Sequence, residues 1–120
     1  MDIFQILSAK NAEHYVWGEN SDGWHLLKSD DLSVIEERMP PGTAERLHLH
    51  ERAQQVFYIL SGVAGFDSGM QHAELGAGES VHVLPRTPHR IFNKGNDDLR
   101  FIVVSSPKSH GDRIDLVPGN

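Results

Sequence analysis

The segment RLHLHERAQQVFYIL, residues 46–60, decides the fold because it holds two strand patterns separated by a short polar turn. Successive side chains of a strand point to opposite faces, so His48 and His50 share one face of the first strand. In the second strand, Gln55 shares a face with Phe57. Apart from the histidines, both strands are apolar on both faces, which is unusual for an antiparallel sheet with one face in water. We therefore expect the N-terminal arm or a second subunit to cover the outer face.

Short runs of β-branched and aromatic residues continue along the chain on either side of this segment. Their regular spacing between Gly, Pro, Asn and Asp predicts an all-β antiparallel sandwich or barrel. The expected strands are 24–28, 32–39, 46–50, 54–60, 63–67, 80–84, 89–93 and 99–105. Only residues 3–14 have a pattern that could form a turn or two of helix. Because no repeat or linker divides the chain, residues 1–120 are predicted to form a single domain, with an N-terminal arm (1–20) and a C-terminal tail (106–120).

The composition argues against several classes of protein. The 120 residues are 38% hydrophobic, and 11 Lys plus Arg against 17 Asp plus Glu give a net charge of −6. An acidic chain is not expected to bind nucleic acid, which is recognised largely through cationic side chains. There is no cysteine, no apolar run long enough to span a membrane, and no signal-peptide pattern after Met1. We expect a cytoplasmic protein without a nucleic-acid or membrane partner.

The histidines are the candidate metal ligands. His48 and His50 leave one strand face two residues apart, close enough to chelate one ion, and Gln55 lies on the corresponding face of the next strand. The turn at 85–88 would deliver His89 to the start of another strand. Three imidazoles and one amide oxygen suit one divalent ion per chain, such as Fe, Mn, Ni, Co or Zn. The alternative is a set of partly exposed structural histidines on a sheet.

Two sequence motifs resemble those of the cupins. The first consists of Gly42, His48-Leu49-His50, Gln55 and Gly62, and the second runs from Gly78 through His89 to Asn93. The resemblance is to small, single-domain, RmlC-like cupins, with the core motifs in 42–93. It implies a double-stranded β-helix, also called a jelly-roll barrel, with His48, His50, Gln55 and His89 as metal ligands.

This chain departs from the usual cupin pattern at three positions. Gln55 stands where the family usually has Glu, Leu84 where it has Pro, and Arg86 where it has Gly. An amide brings a dipole to a cation rather than a full charge, so the metal is expected to bind more weakly than in a site with three His and one Glu. A weak or vacant site is therefore an alternative to a filled one.

Four residues are candidates for binding a substrate. Arg46 has the same parity as His48 and is expected to point into the barrel, where its planar guanidinium could bind a carboxylate or phosphate. The alternative for this arginine is a salt bridge to an inward carboxylate. Arg86, on the turn before the second motif, could assist at the mouth of the site. Phe57 and Ile59 are expected to be core residues that also limit the pocket.

The sequence leaves the function open between two main classes. The first is a metal-dependent enzyme acting on a small, anionic molecule by oxygenase, isomerase or lyase chemistry. Strand parity places Glu45 and Glu51 on the face opposite His48, so no carboxylate base is expected beside the ligands. The second class is a non-catalytic cupin that binds a small ligand, or a purely structural barrel. The histidines at 14, 25, 72 and 110 are interpreted as surface residues.

The last expectation concerns assembly. Parity places five apolar residues on the side away from the proposed metal: Leu47, Leu49, Val56, Tyr58 and Leu60. This surface is large for a monomer, which predicts a homodimer built on it. The rival explanation is that residues 1–7 fold back over the same face.

Overall fold

The computed structural model describes residues 3–116, which form eleven β-strands and no helix. The strands are β1 (Glu13–Trp17), β2 (Ser21–Lys28), β3 (Ser33–Met39), β4 (His48–His50), β5 (Gln54–Ser61), β6 (Ala64–Asp67), β7 (His72–Leu75), β8 (Ser80–Val83), β9 (Arg90–Asn93), β10 (Leu99–Ser106) and β11 (Arg113–Asp115). The all-β prediction is confirmed. Among these described residues no helix is available to cross a membrane.

The strands form two opposing layers. One layer is a six-stranded antiparallel sheet in the order β1-β2-β3-β10-β5-β8. The other consists of the sheets β7-β6-β9 and β11-β4, which are joined by a bridge between His48 and His89. Aromatic contacts cross the interior, as between Phe57 of β5 and Phe66 of β6, whose ring centroids are 5.3 Å apart. Two sheets closed around one core are the architecture predicted as a double-stranded β-helix.

The alternating pattern of the sequence places the core between the layers. In β5, Phe57 and Ile59 are 3% and 0% exposed, whereas Tyr58 between them is 44% exposed. The same alternation in β10 buries Phe101 and Val103. Fully burying such side chains contributes about 1.5–3 kcal/mol each, so these two central strands hold the layers together.

Two motif residues have structural roles at one end of the barrel. Gly62 has φ +89°, and a Cβ there would lie 2.7 Å from the carbonyl oxygen of Asp98, so only glycine fits. The buried amide of Asn93 donates to the carbonyl oxygens of Met39 and Asp97 at 2.9 and 2.8 Å. These contacts tie β9 to the loop before β10.

Three strands were not predicted: β1, β7 and β11. No helix forms within residues 3–14: the N–H groups of Asn11 and Ala12 close a single turn on the carbonyl oxygen of Ser8, and residues from Glu13 onward pair with β2 in the register Glu13↔His25 to Trp17↔Ser21. The strand predicted from Arg46 begins only at His48. That difference changes which side chains face the interior, as described below.

The proposed dimer face is not one surface. Leu49 belongs to β4, which pairs with β11, whereas Val56, Tyr58 and Leu60 belong to the six-stranded sheet. The prediction of a single contiguous face is therefore wrong, because parity identifies the outer side of each strand but not its sheet. With residues 3–7 in place, Tyr58 and Leu60 are still 44% and 39% exposed, and residues 1 and 2 lie outside the described residues.

Candidate metal and substrate site

Three imidazoles converge between the layers. His48 and His50 point inward from β4, and His89 lies just before β9, bridged to His48. All three are buried, with 2%, 6% and 2% exposure, and one ring nitrogen from each lies within 4.8 Å of the others. The predicted convergence of the three histidines is thus present in the structure.

Backbone contacts determine which imidazole nitrogens are available. Nδ1 of His48 donates to the carbonyl oxygen of Arg46 at 2.7 Å, and Nδ1 of His89 donates to that of Thr87 at 2.8 Å. In a neutral ring this leaves the lone pair on Nε2. Such a contact to a backbone carbonyl is a usual way to orient a metal-binding histidine. Nδ1 of His50 is buried without a hydrogen-bond partner.

Gln55 faces the imidazoles from the opposite sheet. Its Nε2 donates to Oγ of Ser105 at 3.0 Å, which directs Oε1 to within 3.0 Å of Nε2 of His89. Both of these last atoms are acceptors when His89 is neutral. Two facing lone pairs would fit a cation held between them, since nitrogen and oxygen ligands lie about 2.0–2.2 Å from a divalent ion. The donor set therefore fits a divalent metal.

Burial keeps the imidazoles neutral. It lowers the pKa of His48 to about 3 and that of His50 to about 4, and it also lowers the pKa of His89. Desolvation disfavours the imidazolium, and the neighbouring rings repel a second positive charge. Neutral imidazole is the form that binds a metal, so no proton has to be displaced near pH 7.

His48, His50 and Gln55 line a cavity of about 320 Å³, whereas His89 lines a second cavity together with Phe66 and Val83. The apolar wall of the first cavity includes Trp17, Ile35, Phe57 and Val103. Phe57 therefore lies where the sequence placed it, whereas Ile59 is fully buried and is not among the residues that line this cavity.

Two carboxyl groups line the same cavity and were not expected there. They belong to Glu37 of β3 and to Glu45, three residues before β4. Burial raises the pKa of Glu37 to about 7, and burial together with repulsion from Glu37 raises the pKa of Glu45 to about 8. The prediction that Glu45 faces away from His48 is wrong, because residues 45–47 are not part of β4 and strand parity does not apply to them.

Neither predicted arginine lies in this cavity. Arg46 is exposed and lines a different cavity together with Asp67, Arg90 and Asp115, so its expected position inside the barrel is wrong for the same reason as that of Glu45. Arg86 is exposed at φ +64°, and its backbone N–H donates to the carbonyl oxygen of His50 at 2.7 Å. The side chain of Arg86 is not among the residues lining the cavity.

The arginine that does line the cavity is Arg113 of β11. This strand pairs with β4 in the register Arg113↔His50 and Asp115↔His48. Nε of Arg113 donates to Asp115 at 2.7 Å, and its side chain remains 38% exposed at the cavity mouth. The alternating polar and apolar residues 113–115 were the available sequence signal, but three residues are too few to predict a strand.

The expected surface position of His25 is also wrong. It is 8% exposed rather than on the surface, and it packs against Tyr15 with ring centroids 5.1 Å apart. His110 lies 5.7 Å from His25 and lines the cavity. Burial among these groups lowers the pKa of His25.

The protein is a barrel of two antiparallel sheets whose interior brings three buried histidines together, and these histidines could bind a metal ion. The chain belongs to the cupins: residues 35–105 match the family model described as a cupin domain. The resemblance inferred from the two motifs is thereby confirmed.

Relatives and solved structures agree with this assignment. The chain is 32% identical over 89 residues to an uncharacterised protein of Methanocaldococcus jannaschii, covering 73% of this chain and 71% of that protein. It is 34% identical over 67 residues to an oxalate-binding protein of Thermotoga maritima, covering 56% and 55% of the two chains. A Klebsiella pneumoniae protein with a double-stranded β-helix domain superposes with a TM-score of 0.78 at 22% identity, covering 95% and 98%.

Proposed function

We propose that the protein holds one divalent metal ion through His48, His50, His89 and Gln55 and uses the site to bind a small anionic metabolite. The observation that carries the proposal is the meeting of Nε2 of His89 and Oε1 of Gln55, two acceptors 3.0 Å apart beside two more buried neutral imidazoles. The set of ligands is compatible with Fe, Mn, Ni, Co or Zn. When bound, the ion would act as a Lewis acid that polarises an oxygen of the metabolite.

Two observations support an anionic metabolite: a positive charge at the cavity and the name of one relative. Arg113 places a guanidinium at the mouth of the cavity, where its fork could bind a carboxylate. The relative from Thermotoga maritima is named for binding oxalate, a small dicarboxylate. In this proposal Arg113 replaces Arg46 as the residue that contacts the anion.

A second candidate function is a ligand-binding cupin without turnover. It is favoured by Gln55, because an amide in place of a carboxylate lowers the negative charge around the ion and weakens metal binding. The two candidates share the residues of the metal and anion sites; in the first the ion would act as a Lewis acid in a reaction of the metabolite, and in the second the metabolite is bound without reaction.

Elemental analysis tests the metal site that both candidate functions share. Wild-type protein purified without chelators should contain about one metal ion per chain, and His48→Ala should contain much less. Equal metal content in the two proteins would contradict the metal site.

The anion site is tested with oxalate as the probe. Oxalate should raise the melting temperature of the metal-loaded protein, since a ligand that binds only the folded state stabilises it. Arg113→Ala should abolish the shift, whereas Arg46→Ala, which removes an exposed arginine outside the cavity, should leave it intact. Loss of the shift in Arg46→Ala alone would return the anion site to the position first predicted.

A further inference from the structure

We propose that Glu37 and Glu45 are the acid–base pair of a proton-transfer reaction in this cavity, and that Tyr15 and Gly23 are the residues that position Glu37. The substrate class is a carboxylate that also carries a C–H bond next to a carbonyl group. This inference rests on the proposed metal and anion sites and assigns a reaction to them.

The position of Glu37 depends on one row of residues across three strands. Tyr15 of β1 pairs with Gly23 of β2, and Gly23 pairs with Glu37 of β3, so all three belong to the same face of the sheet. The hydroxyl of Tyr15 donates to Oε2 of Glu37 at 3.1 Å. A cross-strand neighbour lies about 5 Å away, so Tyr15 must extend over β2 to reach β3.

Gly23 makes that reach possible. A Cβ at this position would overlap the end of the Tyr15 ring. The neighbour that would have to move is the end of a side chain rather than backbone, so alanine at 23 should displace the tyrosine without preventing folding. Gly23→Ala would therefore break the contact between Tyr15 and Glu37 while leaving both residues in the chain.

The second carboxyl reaches the cavity from the opposing layer. Oε1 of Glu45 accepts a hydrogen bond from the backbone N–H of Ile91 at 3.0 Å, which fixes the carboxyl beside the cavity. Glu37 and Glu45 are close enough for the charge of Glu37 to raise the pKa of Glu45. Near neutral pH one carboxyl of such a pair can hold a proton while the other is ionised, as acid–base catalysis requires.

The charged groups that face the pair are consistent with this role. Tyr15 lowers the pKa of Glu37 through its hydrogen bond, and Arg113 lowers the pKa of both glutamates. Asp115 raises the pKa of Glu45. Burial outweighs the lowering contributions, so both carboxyls hold their protons to a higher pH than exposed ones.

The proposed step balances without an oxidant or reductant. The ionised carboxyl removes the proton next to the substrate carbonyl. The electron pair of the broken C–H bond forms a C=C bond, and the carbonyl π pair moves to oxygen to give an enolate. The protonated carboxyl then returns a proton to carbon. The net change is exchange of the proton next to the carbonyl group with one supplied by the second carboxyl.

A titration tests the positioning without any substrate. With 13C label in the glutamate side-chain carboxyls, the resonance that disappears in Glu37→Gln should titrate near pH 7 in metal-free wild type. Gly23→Ala and Tyr15→Phe should each raise that pKa, because both remove the hydrogen bond that lowers it. Gly76→Ala, where a Cβ meets nothing closer than 3.8 Å, should leave it unchanged. An ordinary carboxyl titration, or no response to Tyr15→Phe, would overturn the positioning.

Proton exchange tests the reaction. Zinc-loaded protein in D2O is incubated with pyruvate, 2-oxoglutarate or glucuronate, and loss of the C–H signal is followed by 1H NMR. At least one probe should exchange above the protein-free rate, and Glu37→Gln should slow exchange by about 100-fold or more. Glu36→Gln, which alters the neighbouring outward carboxyl paired with Arg100, should stay within about twofold of wild type.

The outcomes separate the two proposals. If wild type binds zinc and is stabilised by oxalate but no probe exchanges, the proton-transfer reaction is overturned while the metal and anion sites stand. If zinc does not bind, the proposed function fails first, and the reaction that rests on it fails too. Equal exchange by wild type and Glu37→Gln would remove Glu37 from the reaction.

Discussion

Gln55 shows how one side chain can set the strength of a metal site. Its amide offers an oxygen to the imidazole cluster but no charge, and its nitrogen is held by Ser105 of the neighbouring β10. A carboxylate at 55 could accept a hydrogen bond from the same hydroxyl, because a serine hydroxyl both donates and accepts. A negative charge can therefore be added to the metal site while the hydrogen bond to Ser105 is kept.

The first prediction is that Gln55→Glu tightens metal binding by at least about tenfold, which corresponds to about 1.4 kcal/mol, because it adds a full negative charge next to a dication. Isothermal titration with zinc measures the change. Gln54→Glu is the matched control, since Gln54 is the exposed neighbour on the same strand and should alter affinity little. Equal affinity in wild type and Gln55→Glu would place Gln55 outside the ligand set.

The second prediction concerns Glu37 and the pH dependence of stability. Its pKa is raised from 4.5 to about 7. Between these two pH values the folded protein keeps a proton on Glu37 that the unfolded chain has released. The stability that this proton contributes is complete below pH 4.5 and is lost as pH rises through about 7. Relative to Glu37→Gln, wild type should therefore lose stability between pH 5 and pH 9. Denaturant unfolding of both proteins measures this difference, in which groups unaffected by the substitution cancel.

The charged groups around Glu37 set the size of that difference. Tyr15, Glu45 and Arg113 face it and are present in both proteins, and Glu37→Gln also removes the repulsion that raises the pKa of Glu45. At about 1.4 kcal/mol per pKa unit, the effect should amount to a few kcal/mol at most. A stability difference that stays constant from pH 5 to pH 9 would show that Glu37 has an ordinary pKa.

Among single residues, the sequence predicted the position of the proposed metal-binding side chains better than that of the substrate-binding ones. His48, His50 and Gln55 lie on regular strands, where a period of two determines the face. Arg46 and Glu45 lie just before β4, where the backbone is irregular, and there parity misplaced both. Arg113 and Glu37 face the cavity because of pairings between distant strands, which a local pattern does not contain.

Among the elements, β11 is held both by its pairing with β4 and by the carboxylate of Asp112 just before it. Asp112, whose side chain is 5% exposed, accepts hydrogen bonds from the backbone N–H groups of Arg52 at 3.0 Å and Ala53 at 2.9 Å. These contacts fasten the start of β11 to the turn between β4 and β5. They also hold Arg113, the next residue, at the cavity mouth.

The third prediction is that Asp112→Ala destabilises the protein by about 1–3 kcal/mol, because the buried N–H of Ala53 loses its acceptor. Since β11 would be less firmly held, the thermal shift produced by oxalate should also shrink. Chemical denaturation and the oxalate shift measure the two effects. Asp97→Ala, at an exposed aspartate, is the control and should change neither. Unchanged stability in Asp112→Ala would mean that β11 is held by other contacts.

Long strands were predictable and short edge strands were not. The expected strand at 99–105 corresponds to β10 (Leu99–Ser106), because eight alternating residues produce a clear pattern. By contrast, β11 has three residues, all exposed, and β1 is partly exposed along its whole length at the edge of its sheet. Such strands are selected by pairing with a neighbour rather than by their own hydrophobic periodicity.

The whole molecule presents an apolar surface on the outer face of its six-stranded sheet. Cross-strand pairs join Val34 to Val104, Val104 to Val56, and Ile102 to Tyr58, so these side chains form one contiguous patch. Tyr58 is 44% exposed and the others are partly exposed. Because these side chains stay partly exposed and lie on one sheet, the predicted homodimer is best placed here rather than on β4.

The fourth prediction is that the protein is a homodimer through this patch. A stable interface buries about 800 Å² per partner, and apolar burial contributes about 25 cal/mol per Å² before the cost of association. Light scattering at micromolar concentration should give twice the chain mass of 13.4 kDa. Tyr58→Asp should yield monomer, because the interface would bury an unpaired charge, and should keep its metal, since Tyr58 points away from the cavity. Leu49→Asp, on the other layer, should stay dimeric. A wild-type mass near 13.4 kDa would refute the dimer, and a monomeric Leu49→Asp beside a dimeric Tyr58→Asp would move the interface to β4.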